Sequence, residues 1–200
     1  ADHSVPEDIR AWQDGDELKR VHWKLSMRRQ SLMVHTYETP QRPDALVLLD
    51  CGAPKCAPAV RAALVDALAE ACAGTLKSLL EAGRATHLPL SPSGHGEFSG
   101  HDAQALPAML RAVAAAGYSE TTDFSRVLWL ASRRMQRTGS TAILTTRLTP
   151  AVADAAIALS RMGSKMRFTL VTAGEPSEEE AQLLHLLFAS GLETAHIRAA

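Results

Sequence analysis

Residues 45–54 read ALVLLDCGAP, and the reading of this stretch decides the fold. The apolar run 45–49 has strand length and no polar alternation. That is the pattern of a strand covered on both faces, as in a parallel sheet. Asp50 closes the run, and the small-residue turn Cys51-Gly52-Ala53-Pro54 follows at once. In open α/β sheets ligands bind outside the carboxyl ends of the strands. Asp50 therefore stands where a site residue, or the relic of one, belongs.

Downstream, residues 57–82 form a long helical pattern whose apolar stripe is Leu64, Leu68, Ala71, Leu76, Leu79 and Leu80, ended by Gly83. Residues 84–90 read as a strand. Past the turn Ser91-Pro92-Ser93-Gly94, residues 96–99 return as a short antiparallel strand. Asp102 and Asp123 are expected to cap helices reaching about Ala116 and Arg137, with Gly117 and the polar loop 118–122 between them. Strands at 141–145, 166–172 and 193–197 alternate with helices opened by Pro150 and Pro176. This alternation predicts a doubly wound, mostly parallel α/β sheet with one antiparallel strand and helices on both faces.

Upstream, residues 1–15 are polar loop with an extended piece at 9–12. Asp16 reads as an N-cap, and Leu18, Val21 and Leu25 recur at helical spacing, so a short amphipathic helix is expected over 17–27. Its other faces carry Lys19, Arg20, Lys24, Arg28 and Arg29, with His22 and Trp23 among them. Trp23 is expected to pack on the sheet edge, because so large an apolar surface is normally buried. Residues 31–38 read as a strand, broken by 39–43. The expected organisation is a signature segment, 1–43, and a sheet domain, 44–200.

Composition narrows the classes. Two hundred residues make one domain, or one domain with an appended segment. A net charge of −1 argues against a polyanion binder driven by bulk charge. Three cysteines give no disulfide framework and suit a reducing compartment. No apolar run has the length of a membrane span. The chain opens at Ala1 without Met, so an excised piece of a longer protein is expected.

Candidate chemistry is sparse. No GxGxxG or GxxxxGKS/T is present. Asp50 as a phosphoryl-transfer nucleophile lacks a second carboxylate two residues on, where Gly52 stands, and its plainer role is to cap the next helix. His95, Glu97 and His101 form either a weak metal cluster or a solvated loop. Cys56, near the start of the long helix, is either a thiol of lowered pKa or an inert small residue. The basic stretch 19–29 reads as a phosphate-binding surface, an ion-pair network or a partner surface.

Gly15-Asp16, then Lys19-Arg20-Val21-His22-Trp23-Lys24, then Met27-Arg28-Arg29, then Leu32-Met33-Val34 and a strand into Leu49-Asp50 resemble the signature of bacterial domain-of-unknown-function family fifty-eight. The match is close over the first quarter of the chain. The resemblance implies a von Willebrand factor A-like domain. It also implies a parent protein anchored in the membrane, with this domain on the cytoplasmic face. The implied partners are a MoxR-type AAA+ ATPase or a transglutaminase-like protein. It makes Gly15, Asp16, Arg20, His22, Trp23, Lys24 and Arg28 signature residues. A-type domains often hold Mg²⁺ through an Asp-x-Ser-x-Ser loop, a Thr and a second Asp. Asp50 matches the first Asp, and Thr121 or Thr122 matches the Thr. Gly52 and Pro54 stand at the two Ser positions, and the third loop offers Arg147 in place of an acid. A degenerate metal site is thus implied, with Mg²⁺ the one candidate cofactor and Arg147 expected to pair with Asp50.

Three readings follow: a non-catalytic interaction module, a metal-dependent hydrolase or phosphotransferase using Asp50, and a nucleic-acid binder through 19–29. The first is the expectation carried forward, without an enzymatic activity and without nucleic acid as partner.

Overall fold

The computed structural model describes residues 6–37, 43–90 and 96–199. The chain divides into two compact units, Ala1–Gln41 and Arg42–Ala200.

In the smaller unit, β1 (Pro6–Ala11) pairs antiparallel with β2 (Met33–Tyr37), so the extended piece expected at 9–12 is a strand that starts earlier, at Pro6. Val21 lies in extended backbone and bridges Val34, and both are buried. A helix running through residue 21 is incompatible with that pairing. The expected helix 17–27 is therefore replaced by a single 3₁₀ turn, Leu18–Arg20, and a later helix, α1 (Trp23–Arg29). His22, not Asp16, caps α1: its Nδ1 accepts the Leu25 N–H at 3.2 Å. Buried Ser26 pins α1 to β2, accepting the Met33 N–H at 2.8 Å and donating to the His22 carbonyl at 3.0 Å.

The larger unit is built on a six-stranded sheet. Its strands are β3 (Ala45–Leu49), β4 (Thr86–Pro89), β5 (Glu97–Gly100), β6 (Ser140–Thr145), β7 (Lys165–Thr172) and β8 (Glu193–Arg198). The spatial order is β5-β4-β3-β6-β7-β8, with only β5 antiparallel to its neighbour. β3 is central and buried at every residue, which is why its sequence is unbroken apolar. Successive β3 side chains point to opposite faces. Leu46 and Leu48 pack with α4 (Phe124–Arg137), α5 (Pro150–Ser160) and α6 (Glu178–Ala189). Val47 and Leu49 pack with α2 (Pro58–Glu81) and α3 (Leu106–Ala115).

Helix α2 buries Leu64, Leu68, Cys72, Leu76 and Leu80, a four-residue repeat that keeps one stripe on the sheet. Each fully buried leucine contributes about 1.5–3 kcal/mol relative to exposure. Two expected helix starts shift. The Asp102 carboxylate accepts from Gln104 N–H at 2.9 Å and so caps a 3₁₀ turn, Ala103–Ala105, rather than α3 itself. α6 opens on Ser177 in a reciprocal capping box with Glu180, which leaves Pro176 outside the helix.

Candidate functional site

The winding of the sheet reverses at β3. One connection leads to β4 on one side, and the later strands β6, β7 and β8 build outward on the other. In open α/β sheets the crevice at this reversal, beyond the carboxyl ends of the strands, is where ligands bind. The register Leu49↔Leu144 sets the ends of β3 and β6 side by side, and the Asp50 N–H continues the ladder to the Leu144 carbonyl at 2.9 Å. The next side chains, Asp50 and Thr145, are both buried.

Asp50 is 2% exposed and fully engaged. Its Oδ1 accepts the Gly52 N–H at 2.9 Å and Arg147 Nη2 at 2.6 Å. Its Oδ2 accepts the Thr145 hydroxyl at 2.6 Å and Arg147 Nε at 3.0 Å. The arginine contact is the two-pronged fork, the strongest form of this ion pair. Four donors fill the roughly four lone-pair positions of an ionised carboxylate. The Arg147 N–H donates to Thr145 Oγ1 at 2.9 Å, which fixes the start of the loop that carries the guanidinium. The hydrogen bond to Asp50 raises the Arg147 pKa, with burial opposing it and the charges of Asp50 and Asp123 adding to the rise. Gly52 makes the approach possible: a Cβ there would collide with the guanidinium. The expected capping of the next helix by Asp50 does not occur, since α2 begins at Pro58 behind an Ala57 cap without a side-chain bond.

The loop between α3 and α4 closes the crevice. Tyr118 takes left-handed backbone, φ 42°, which is strained for a bulky side chain. Its hydroxyl donates to the Val113 carbonyl at 3.2 Å, and its carbonyl accepts from Arg61 at 3.3 Å. The turn brings Glu120 N–H to the Cys51 carbonyl at 3.0 Å. The Cys51 thiol is pushed up to about 11 by burial, then by the charges of Asp50 and Glu120, so it stays protonated near neutral pH. Beside Asp50 lies a cavity of about 160 Å³, lined by Glu120, Thr122, Phe124, Leu130 and Arg134 among others. Thr121 is exposed, so of the two threonines it is Thr122 that reaches the cavity wall.

These residues do not fit Mg²⁺. The ion needs near-octahedral oxygen ligands. Asp50 has no free lone pair, Gly52 and Pro54 bring no side-chain oxygen, and a guanidinium occupies the space beside the carboxylate. Among the described residues no group of three or more His, Cys, Asp or Glu converges. Of the His95–Glu97–His101 trio, His95 lies outside the described residues. Glu97 pairs with Arg134 at 2.9 Å, and His101 is an exposed side chain beside Asp102.

Three of the signature residues, Gly15, Asp16 and His22, hold local structure. Gly15 has φ 105°, which a glycine adopts without strain, and Asp16 closes that turn by accepting the Gln13 N–H at 2.8 Å. Asp16 also accepts a fork from Arg10, at 2.8 and 2.6 Å. His22 caps α1 and stacks on His35 with ring centroids 4.8 Å apart. Trp23, expected to be packed, is 59% exposed. Lys24 and Arg28 are exposed as well, and the Arg20 side chain lies outside the described positions. Of the basic stretch, Lys19 pairs with Glu17 at 2.9 Å.

Reading the sequence alone misses Thr145, Glu120 and Arg134. Thr145 needs only the adjacency of β6 to β3 to be found. Glu120 and Arg134 carry no motif.

Compared with protein-family models, residues 8–196 match the family described as "Protein of unknown function DUF58". The match spans both units. No curated protein matches the chain.

Proposed function

The chain belongs to the DUF58 family, and on that premise we propose that it is a non-catalytic protein-interaction module of a larger protein. In this reading the larger unit is a von Willebrand factor A-like domain whose metal-ion adhesion site is replaced by an internal ion pair. The saturation of Asp50 carries the reading. A carboxylate holding Arg147, Thr145 and the Gly52 N–H has no lone pair left for a metal or for nucleophilic attack. The position of the pair, at the reversal of the sheet, supports descent from a ligand site. The proposed setting is the cytoplasmic face of a membrane-anchored parent, and the proposed partner is a MoxR-type AAA+ ATPase or a transglutaminase-like protein. Among the described residues no helix is long and apolar enough to cross a membrane.

Calorimetry with Mg²⁺ and Mn²⁺ on the wild type and Asp50→Ala tests the reading. No heat is expected from either protein. Heat in the wild type that disappears in Asp50→Ala overturns it. Turnover of a generic phosphate ester lost in Asp50→Ala would instead restore the hydrolase. Titration of a purified MoxR-type ATPase against the chain tests the partner, and no association would remove that part.

A further inference from the structure

Helix α4 has the sequence FSRVLWLASRRMQR and contains no acidic residue. Its inner face is apolar: Phe124, Leu128, Ala131 and Met135 are buried. Its outer face is unusual. Arg126, Trp129, Leu130, Arg133 and Arg137 are all exposed, with Trp129 at 50% and Leu130 at 57%. At 3.6 residues per turn these five fall within about 100° of the helix circumference, so they form one narrow stripe. The stripe holds only cations and large apolar groups. The fourth arginine, Arg134, is turned aside and paired with Glu97.

The stripe adjoins the cavity beside Asp50. Val127, Leu130, Ala131 and Arg134 are both α4 residues and cavity wall, and Leu130 belongs to stripe and cavity alike. The rest of the wall is mostly apolar, with Leu48, Leu49, Pro89 and Leu90. An apolar cavity of roughly 150 Å³ accepts a benzene-sized group, and this one measures about 160 Å³. The polar side chains at its wall include two acids, Asp50 and Glu120, beside Thr122 and Arg134, and Arg147 and Glu97 neutralise Asp50 and Arg134 in ion pairs, which leaves Glu120. Glu120 opposes a phosphate backbone, whereas a peptide can set an uncharged apolar side chain in the cavity and keep its acids over the arginines.

We infer that α4 and the cavity it lines form a docking site for an acidic segment of a partner protein, with one aliphatic or aromatic side chain of that segment seated in the cavity and its carboxylates on Arg126, Arg133 and Arg137. This rests on the interaction-module reading and names the surface and the chemistry of the ligand.

The test is selection of a random-peptide display library on the full chain. The enriched peptides are then titrated by fluorescence anisotropy against two variants, Arg126→Glu/Arg133→Glu/Arg137→Glu and Leu130→Ser. All four substitutions lie on exposed positions, and circular dichroism checks that the fold is kept. The expected consensus has Asp or Glu at helical spacing around one Leu, Phe or Tyr. Its affinity is expected to fall at least about tenfold in each variant. Peptides that bind the wild type and both variants equally overturn this site and leave the module reading in place. No enrichment at all overturns both. Single-stranded DNA that binds more tightly than any peptide, with the same dependence on the three arginines, makes the stripe a phosphate surface and overturns the inference.

Discussion

Two arginine–aspartate forks in this chain share a geometry and differ in everything around them. Arg10 and Asp16 meet at 2.8 and 2.6 Å, with side chains 39% and 20% exposed. Arg147 and Asp50 meet at 3.0 and 2.6 Å, with side chains 14% and 2% exposed. The first joins residues six apart and ties a turn to its own strand. The second joins residues 97 apart and closes the crevice where the sheet reverses. Water can replace either partner of the first fork, so its loss matters little. The second has no such substitute. Removing one partner strands a charge in the interior, although the pair as a whole is not thereby a large source of stability. Contact distance alone does not tell the two apart; surroundings do.

The largest break in this contrast should come from Arg147→Ala. Stranding Asp50 is expected to cost about 3–5 kcal/mol in a denaturant unfolding curve. A cost under about 1 kcal/mol would place the buried fork in the class of the exposed one. Gly52→Ala should cost less, about 1–3 kcal/mol, because the Cβ displaces only the flexible end of Arg147 but breaks its hydrogen bonds. The same change in an Arg147→Ala background should add little. The resulting coupling in a double-mutant cycle would show that the cost runs through Arg147, and additivity would contradict it.

Alkaline titration probes the same interior through its thiol. Cys51 has an ordinary pKa of 9.0 and is pushed up to about 11 in the fold, by burial first. Above pH 9 the unfolded chain releases this proton while the folded chain keeps it. Stability should thus be intact below pH 9 and fall between 9 and about 11, by up to about 1.4 kcal/mol per pH unit for this group. Cys51→Ala should flatten the slope by that share, leaving the parts due to Cys72, whose thiol burial pushes up to about 12, and to Tyr118, whose hydroxyl burial also pushes up. An unchanged slope would mean that Cys51 meets solvent. The smallest effects belong to the other unit. Arg10→Ala should leave the unfolding midpoint unmoved. Trp23→Ala should stay within about 0.5 kcal/mol, since the ring is already in water. A marked loss in Trp23→Ala would show an intramolecular contact for that ring.

The sheet unit was legible where local pattern and tertiary burial agree. An unbroken apolar strand, a helix with leucines four apart and alternating turn signals led directly to β3, α2 and the strand–helix alternation. The signature unit was less so. Val21 pairs with Val34 across the small sheet, and that distant partner overrides the helical spacing around it. Trp23 was misplaced for a related reason: size argues for burial only when a surface exists to cover the ring. In the site, Asp50 and Arg147 could be matched by loop position. Thr145 depends on β6 lying next to β3, and the left-handed turn at Tyr118 leaves no mark in composition. The α4 stripe was fully written in the sequence as arginines without acids at helical spacing, but only exposure gives it meaning.

The close approach of Gly52 to Arg147 also has an evolutionary side. A serine at 52 would bring a hydroxyl of the kind a metal site uses, but its Cβ needs the room the guanidinium holds. An acid at 147 would bring a second carboxylate against buried Asp50 with no cation between them. Each step taken alone carries a cost, so the two positions are coupled like the two ends of a latch.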